Sequence, residues 1–161
     1  MEDLSRQHLQ ESRPEGSPSA VALGSHPIHP MLVPFPIAFL ITATASDIGF
    51  LLTLDSFWAR VSLWLLGGGA AMGLVAGIVG TAELLIIGSI RRRAAAWSHS
   101  VVAVMLLAVA FFNWFMRLSD PVSTIYPAGI LLSALGLLLV SAAGWLGGKL
   151  VFEERVGVKE A

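Results

Sequence analysis

The sequence predicts an all-α fold: a four-helix transmembrane bundle with antiparallel up-down topology and cytoplasmic N and C termini. Three observations lead there. The chain is 55% apolar and only 13% charged, where a soluble domain carries about 25% charge. It holds four long apolar stretches joined by short connections. Its one run of three like charges, Arg91, Arg92 and Arg93, falls between the second and third stretch.

Residues 1–25 are polar and mixed in charge, with Pro14, Gly16, Ser17, Pro18 and Ser19 and no apolar period. That composition predicts a disordered tail. It lacks the charged start, apolar run and small-residue cleavage site of a signal peptide. A membrane-spanning helix needs roughly 20 mostly apolar residues. The first such span covers about 31–54, with Asp47 as its only charge. The second covers about 61–90 and is interrupted only by Glu83. The third, about 95–116, contains His99 and Asn113, and the fourth, about 127–148, has no charge. Residues 26–152 thus form the membrane domain, and 153–161 a short cytoplasmic tail.

The first span starts in a proline-rich segment, with Pro27, Pro30, Pro34 and Pro36. Each proline lacks an amide donor and restricts the residue before it. The helix proper is expected from Pro34 or Pro36, with 26–33 as an extended or kinked lead-in that holds His26 and His29. In the second span Gly69, Gly73 and Gly77 recur every four residues. Small residues at that spacing let helices approach closely in lipid, so this span is expected at the centre of the bundle. Self-association through such faces is a further option.

Orientation follows from the basic residues. Arg6, Arg13, Arg91, Arg92, Arg93, Lys149, Arg155 and Lys159 fall on one side, and only Arg60 and Arg117 on the other. Cytoplasmic segments carry the excess of Lys and Arg, which places both termini inside. Trp58, Trp64, Trp97 and Trp145 suit interfacial anchoring near the span ends.

Composition also excludes functions. A net charge of −1 argues against a nucleic-acid binder, which needs a basic face. The absence of cysteine removes disulfides, thiolate metal sites, cysteine-held iron–sulfur clusters and cysteine nucleophiles. No Walker loop or dinucleotide fingerprint is present, since Gly67, Gly68 and Gly69 lie inside an apolar helix.

Ionisable groups within spans are costly and face the bundle interior or a cavity. Here they form two layers. In the outer layer Asp47, Asn113 and Arg117 are expected to meet as a structural polar group. In the inner layer Glu83 precedes Arg91 by eight residues and His99 follows Arg93 by six. A rise of 1.5 Å per residue puts both within roughly 9–12 Å of the arginines along the membrane normal. His29 arrives from the same face.

A bis-histidine haem needs two rings from separate elements facing each other. His29 and His99 meet that requirement, with haem b as the candidate cofactor and Arg91, Arg92 or Arg93 as partners for its propionates. A divalent metal held by His26, His29, Glu83 and His99 is a second option, although the spacing lacks a metal fingerprint. A third is a structural hydrogen bond between Glu83 and His99 that locks the turn between their spans.

Several blocks carry a resemblance. They are His29–Phe39 (HPMLVPFPIAF) with Asp47, the Gly- and Ala-rich second span ending at Glu83, and Arg92–His99. Asn113–Arg117 and Gly144–Phe152 with Gly157 and Val158 complete the set. Together they resemble a widespread bacterial family of small four-span integral membrane proteins, a domain of unknown function, over about residues 26–158. The family usually has aspartate at the position of Glu83 and tyrosine at that of Phe152. The resemblance implies a multi-pass protein of the bacterial inner membrane. Some relatives appear fused to Rieske-type iron–sulfur domains, which implies redox company.

Function is therefore expected along one of three lines. The first is a haem-binding or redox-associated membrane subunit with membrane redox partners. The second is a scaffold or accessory protein without cofactor. The third is a small oligomeric transporter or metal-binding membrane protein. The chain lacks the internal repeat and broken half-helices of secondary transporters. No autonomous enzymatic activity is expected, since no serine–histidine–acid grouping has supporting context.

Overall fold

The computed structural model describes Ser19, residues 21–24 and residues 26–157. Apart from those positions, the tail expected over residues 1–25 lies outside the described residues, as does the end of the tail expected over 153–161. Four helices are long and apolar enough to cross a membrane: Ile28–Thr53, Ser56–Ile86, Ala94–Arg117 and Ile125–Phe152. They are called the first to fourth spans below. The only strand pairing among the described residues joins Ala22–Leu23 to His26–Pro27.

The lead-in to the first span is helical rather than extended. A short helix, Ile28–Leu32, runs into the main helix Pro34–Thr53. The prolines permit this because they fall in first turns. There the amides have no intrahelical partner to lose. Leu54 ends the span in the left-handed region, and Asp55 caps the second span by accepting from the Phe57 amide at 2.8 Å.

The second span stops at Ile86, four residues earlier than the sequence suggests. Ile87 is extended, a short helix Gly88–Arg91 follows, and Arg93 is extended again before the third span. Apolar character continues through Ile90, so hydropathy alone hides the break. The fourth span begins with a π-helical turn, Ile125–Gly129, in which Tyr126 is non-helical, and runs on to Phe152.

The first and third spans each pack on both the second and the fourth. Leu40 and Ala43, Leu66 and Ala70, Ala110, and Val140 bring one patch from every span into a common core. Without water to exclude, this association rests on close packing. The glycines of the second span serve two neighbours. A methyl group at Gly69 would lie 2.9 Å from Leu40 of the first span, and one at Gly73 2.7 Å from Leu107 of the third. A second apolar cluster, Leu84, Ile90, Ala96 and Leu150, closes the end of the bundle near the arginines.

Candidate functional site

The two polar layers have different characters. In the outer layer Arg117 and Asp47 are both fully buried. The guanidinium donates from Nη1 to Asp47 Oδ1 at 2.5 Å and from Nη2 to Oδ2 at 2.8 Å, a bidentate pair. Nε donates to Asn113 Oδ1 at 2.9 Å, and the Ser62 hydroxyl accepts from Nη1 at 2.9 Å. Ser133 donates its hydroxyl to Asp47 Oδ2 at 2.6 Å and receives Asn113 Nδ2 at 3.0 Å. One residue or more from every span thus joins a single network. No buried side-chain nitrogen or oxygen among the described residues lacks a partner. Asp47, Asn113 and Arg117 were legible as a group. Ser62 and Ser133 were not, although each is a hydroxyl inside an apolar span.

The inner layer surrounds a cavity of about 410 Å³, within the usual range of ligand pockets. His29, Glu83 and His99 line it, with Thr81 and Ser100 as further polar groups. The two imidazoles lie with ring centroids 6.3 Å apart and planes nearly perpendicular, at 84°. Each is fixed through Nδ1 to the backbone carbonyl of another span. His29 pairs with Ala76 of the second span at 2.9 Å, and His99 with Ala143 of the fourth at 3.0 Å. An Nδ1–H donated to a carbonyl leaves Nε2 as the free lone-pair nitrogen. This is the orientation that outer-shell partners impose on metal-binding histidines.

Two glycines make room for these rings. A methyl group at Gly80 would lie 2.8 Å from His29 Cε1, and one at Gly147 3.3 Å from His99 Cε1. Gly147 lies in the block 144–152 noted in the sequence, but which ring each glycine accommodates is not legible there, because the partners are distant in the chain.

The expected Glu83–His99 hydrogen bond is replaced by other contacts. His99 Nδ1 turns to the Ala143 carbonyl, while buried Glu83 accepts from the Ser19 hydroxyl. The arginines stand beside the cavity and are not among its lining residues. Arg91 donates to the Leu85 carbonyl at 3.1 Å, Arg92 is exposed, and Arg93 pairs with Glu154 at 3.3 Å. His26 lies in the short strand pairing outside the cavity lining. Among the described residues no three of His, Asp and Glu gather as a metal-holding group.

No curated protein and no solved structure matches the chain. A family model described as a predicted membrane protein (DUF2231) matches residues 25–160. The spans and the family match agree: the chain is a multi-spanning membrane protein and belongs to that family.

Proposed function

We propose that this protein is a haem-binding, redox-associated membrane subunit, in which His29 and His99 would hold a b-type haem. The observation that carries the reading is the paired presentation of two imidazoles across one cavity, each held at Nδ1 by a carbonyl of a neighbouring span. With ring centroids 6.3 Å apart, the two imidazoles are near enough to serve one bound group. Perpendicular ring planes are compatible with a ligand lying between them.

The donor set also favours haem over a bare ion. A structural zinc site uses four protein ligands, and only two imidazoles meet here. A porphyrin brings its own four equatorial nitrogens and needs only two from protein. Gly80 and Gly147 supply the clearance that bulkier residues would remove. When bound, such a group would supply one-electron transfer. The chain's own residues orient the imidazoles, hold their tautomers and surround the site with apolar side chains. That low-polarity shell is a lever on redox potential.

The same reading takes the bundle as antiparallel, with both termini in the cytoplasm of a bacterial inner membrane. The basic-residue asymmetry and the short connections support this. The cavity then lies near the cytoplasmic face. A cofactor-free scaffold is the second reading, favoured by the complete hydrogen bonding of the outer network.

The test is an optical spectrum of protein purified from haem-replete cells, before and after dithionite. A Soret band that shifts on reduction, and is lost in both His29→Ala and His99→Ala while the variants remain folded, is the expected result. A clean, folded preparation without Soret absorbance overturns the proposal.

A further inference from the structure

We infer that the cavity opens sideways into the bilayer and takes its ligand from the lipid phase, through a slot between the second and third spans gated by Ile78 and Val104. The ligand class is a largely apolar molecule with a polar centre that partitions into membranes, matching a lining that is apolar apart from a few polar groups. Naming it haem rests on the reading above, while the slot rests on geometry alone.

The slot is built from two facing stripes. Leu74, Ile78 and Thr81 lie on one face of the second span, and Ser100, Val104 and Leu107 on one face of the third. Their spacings of four and three residues are those of a single helix face. The rim is exposed: Ile78 and Val104 are each 62% accessible, and Leu74 46%. These are apolar side chains at hydrocarbon depth. Ile78 lies eight residues before Ile86, about 12 Å along the helix, and Val104 ten after Ala94, about 15 Å. Both distances are near half of a roughly 30 Å hydrocarbon core.

The end toward the arginines is closed. Leu84, Ile90, Ala96 and Leu150 are all buried and line that end, with Val156 packed against them. Arg93 ties the connection before the third span to Glu154 after the fourth. A ligand coming from water would have to pass this apolar plug. A ligand dissolved in lipid meets the exposed side chains of Leu74, Ile78, Thr81 and Val104 instead. The polar groups His29, His99 and Glu83 stand deeper, where they can receive the polar centre of a molecule whose edge stays in the slot.

The chain has no cysteine, so Ser100→Cys gives a unique site for a nitroxide label in the slot, and Thr81→Cys a second on the opposite wall. In liposomes the label's relaxation would be compared with molecular oxygen, which concentrates in lipid, and with a water-soluble nickel chelate. Oxygen is expected to exceed the chelate several-fold at both positions. Equal or greater relaxation by the chelate at both overturns the slot. In parallel, haem uptake from haem-loaded donor vesicles would be followed by Soret absorbance. It is expected to slow at least tenfold in the folded double variant Ile78→Trp/Val104→Trp. Unchanged uptake overturns the gate. The oxygen pattern without a Soret band in any variant upholds the slot and removes the haem reading.

Discussion

The Asp47–Arg117 pair offers a quantitative test of how the bundle holds itself together. Asp47→Asn conserves volume but leaves a fully buried guanidinium without its counter-charge. Arg117 loses two charge-assisted hydrogen bonds to the carboxylate and keeps those to Ser62, Asn113 and Ser133. Breaking a buried pair by removing one partner costs about 3–5 kcal/mol. For a chain of this size that corresponds to a drop in Tm of roughly 6–20 °C. Arg117→Met should cost a similar amount, because Asp47 is then left with the Ser133 hydroxyl alone at 2.6 Å. The double variant removes both charges and fills the space with an apolar chain. Such replacements are often close to neutral, so the double should cost less than the sum of the singles by at least about 2 kcal/mol. The assay is thermal unfolding in a mild detergent followed by circular dichroism, read as a double-mutant cycle. A coupling energy below about 0.5 kcal/mol, the range of independent sites, would refute the claim that the two charges support each other.

Other expectations follow from close contacts. Gly129→Ala places a methyl group 2.7 Å from both Arg117 Nη2 and the Thr124 carbonyl, so it should destabilise by about 1–3 kcal/mol as overpacking does. Gly136→Ala meets nothing within 4 Å and should be neutral or stabilise by up to about 1 kcal/mol; thermal melts of the two variants check the opposite signs. If the haem proposal holds, Gly80→Ala, with its 2.8 Å clash on the His29 ring, should weaken haem retention more than Gly147→Ala at 3.3 Å, measured as Soret absorbance per mole of protein. In the connection before the fourth span, the Ser123 amide and hydroxyl and then the Val122 amide hold exposed Asp120 below the usual carboxylate range. Its stabilising effect is present above the ordinary carboxylate pKa and fades as pH falls through the lowered value; in Asp120→Asn that acid-side loss should disappear from the Tm–pH profile.

Much of this was legible in the chain because lipid imposes simple rules. A run such as residues 95–116 has no stable alternative to a helix in a bilayer, and the Ala94–Arg117 helix departs from it by one residue at each end. The Asp47–Arg117 meeting was legible for the same reason, since isolated charges at depth need partners. The break at Ile87 was not, because isoleucine reads as membrane whether its backbone is helical or extended. At the candidate site, the meeting of His29 and His99 could be expected from topology. Their anchoring could not, because the Ala76 and Ala143 carbonyls are main-chain groups with no signature in sequence. Glu83 illustrates the opposite failure. Its neighbour His99 was a reasonable partner by depth, yet the ring bonds the Ala143 carbonyl of the fourth span and the carboxylate accepts from Ser19.

The outer network also bears on how the protein is made. Asp47 belongs to the first span and Arg117 closes the third, so the two charges leave the ribosome 70 residues apart. The first hairpin therefore reaches the membrane carrying an acid whose partner has not been synthesised. A lone carboxyl at depth costs about 2.5–3.5 kcal/mol on insertion scales, which the apolar remainder of the first two spans must cover in the meantime. Only when the third span arrives does the acid gain its base, and Ser133 of the fourth then completes the set. Chains cut short before Arg117 therefore keep an unpaired acid in the bilayer, and the bundle's polar network closes only once the last two spans have joined it.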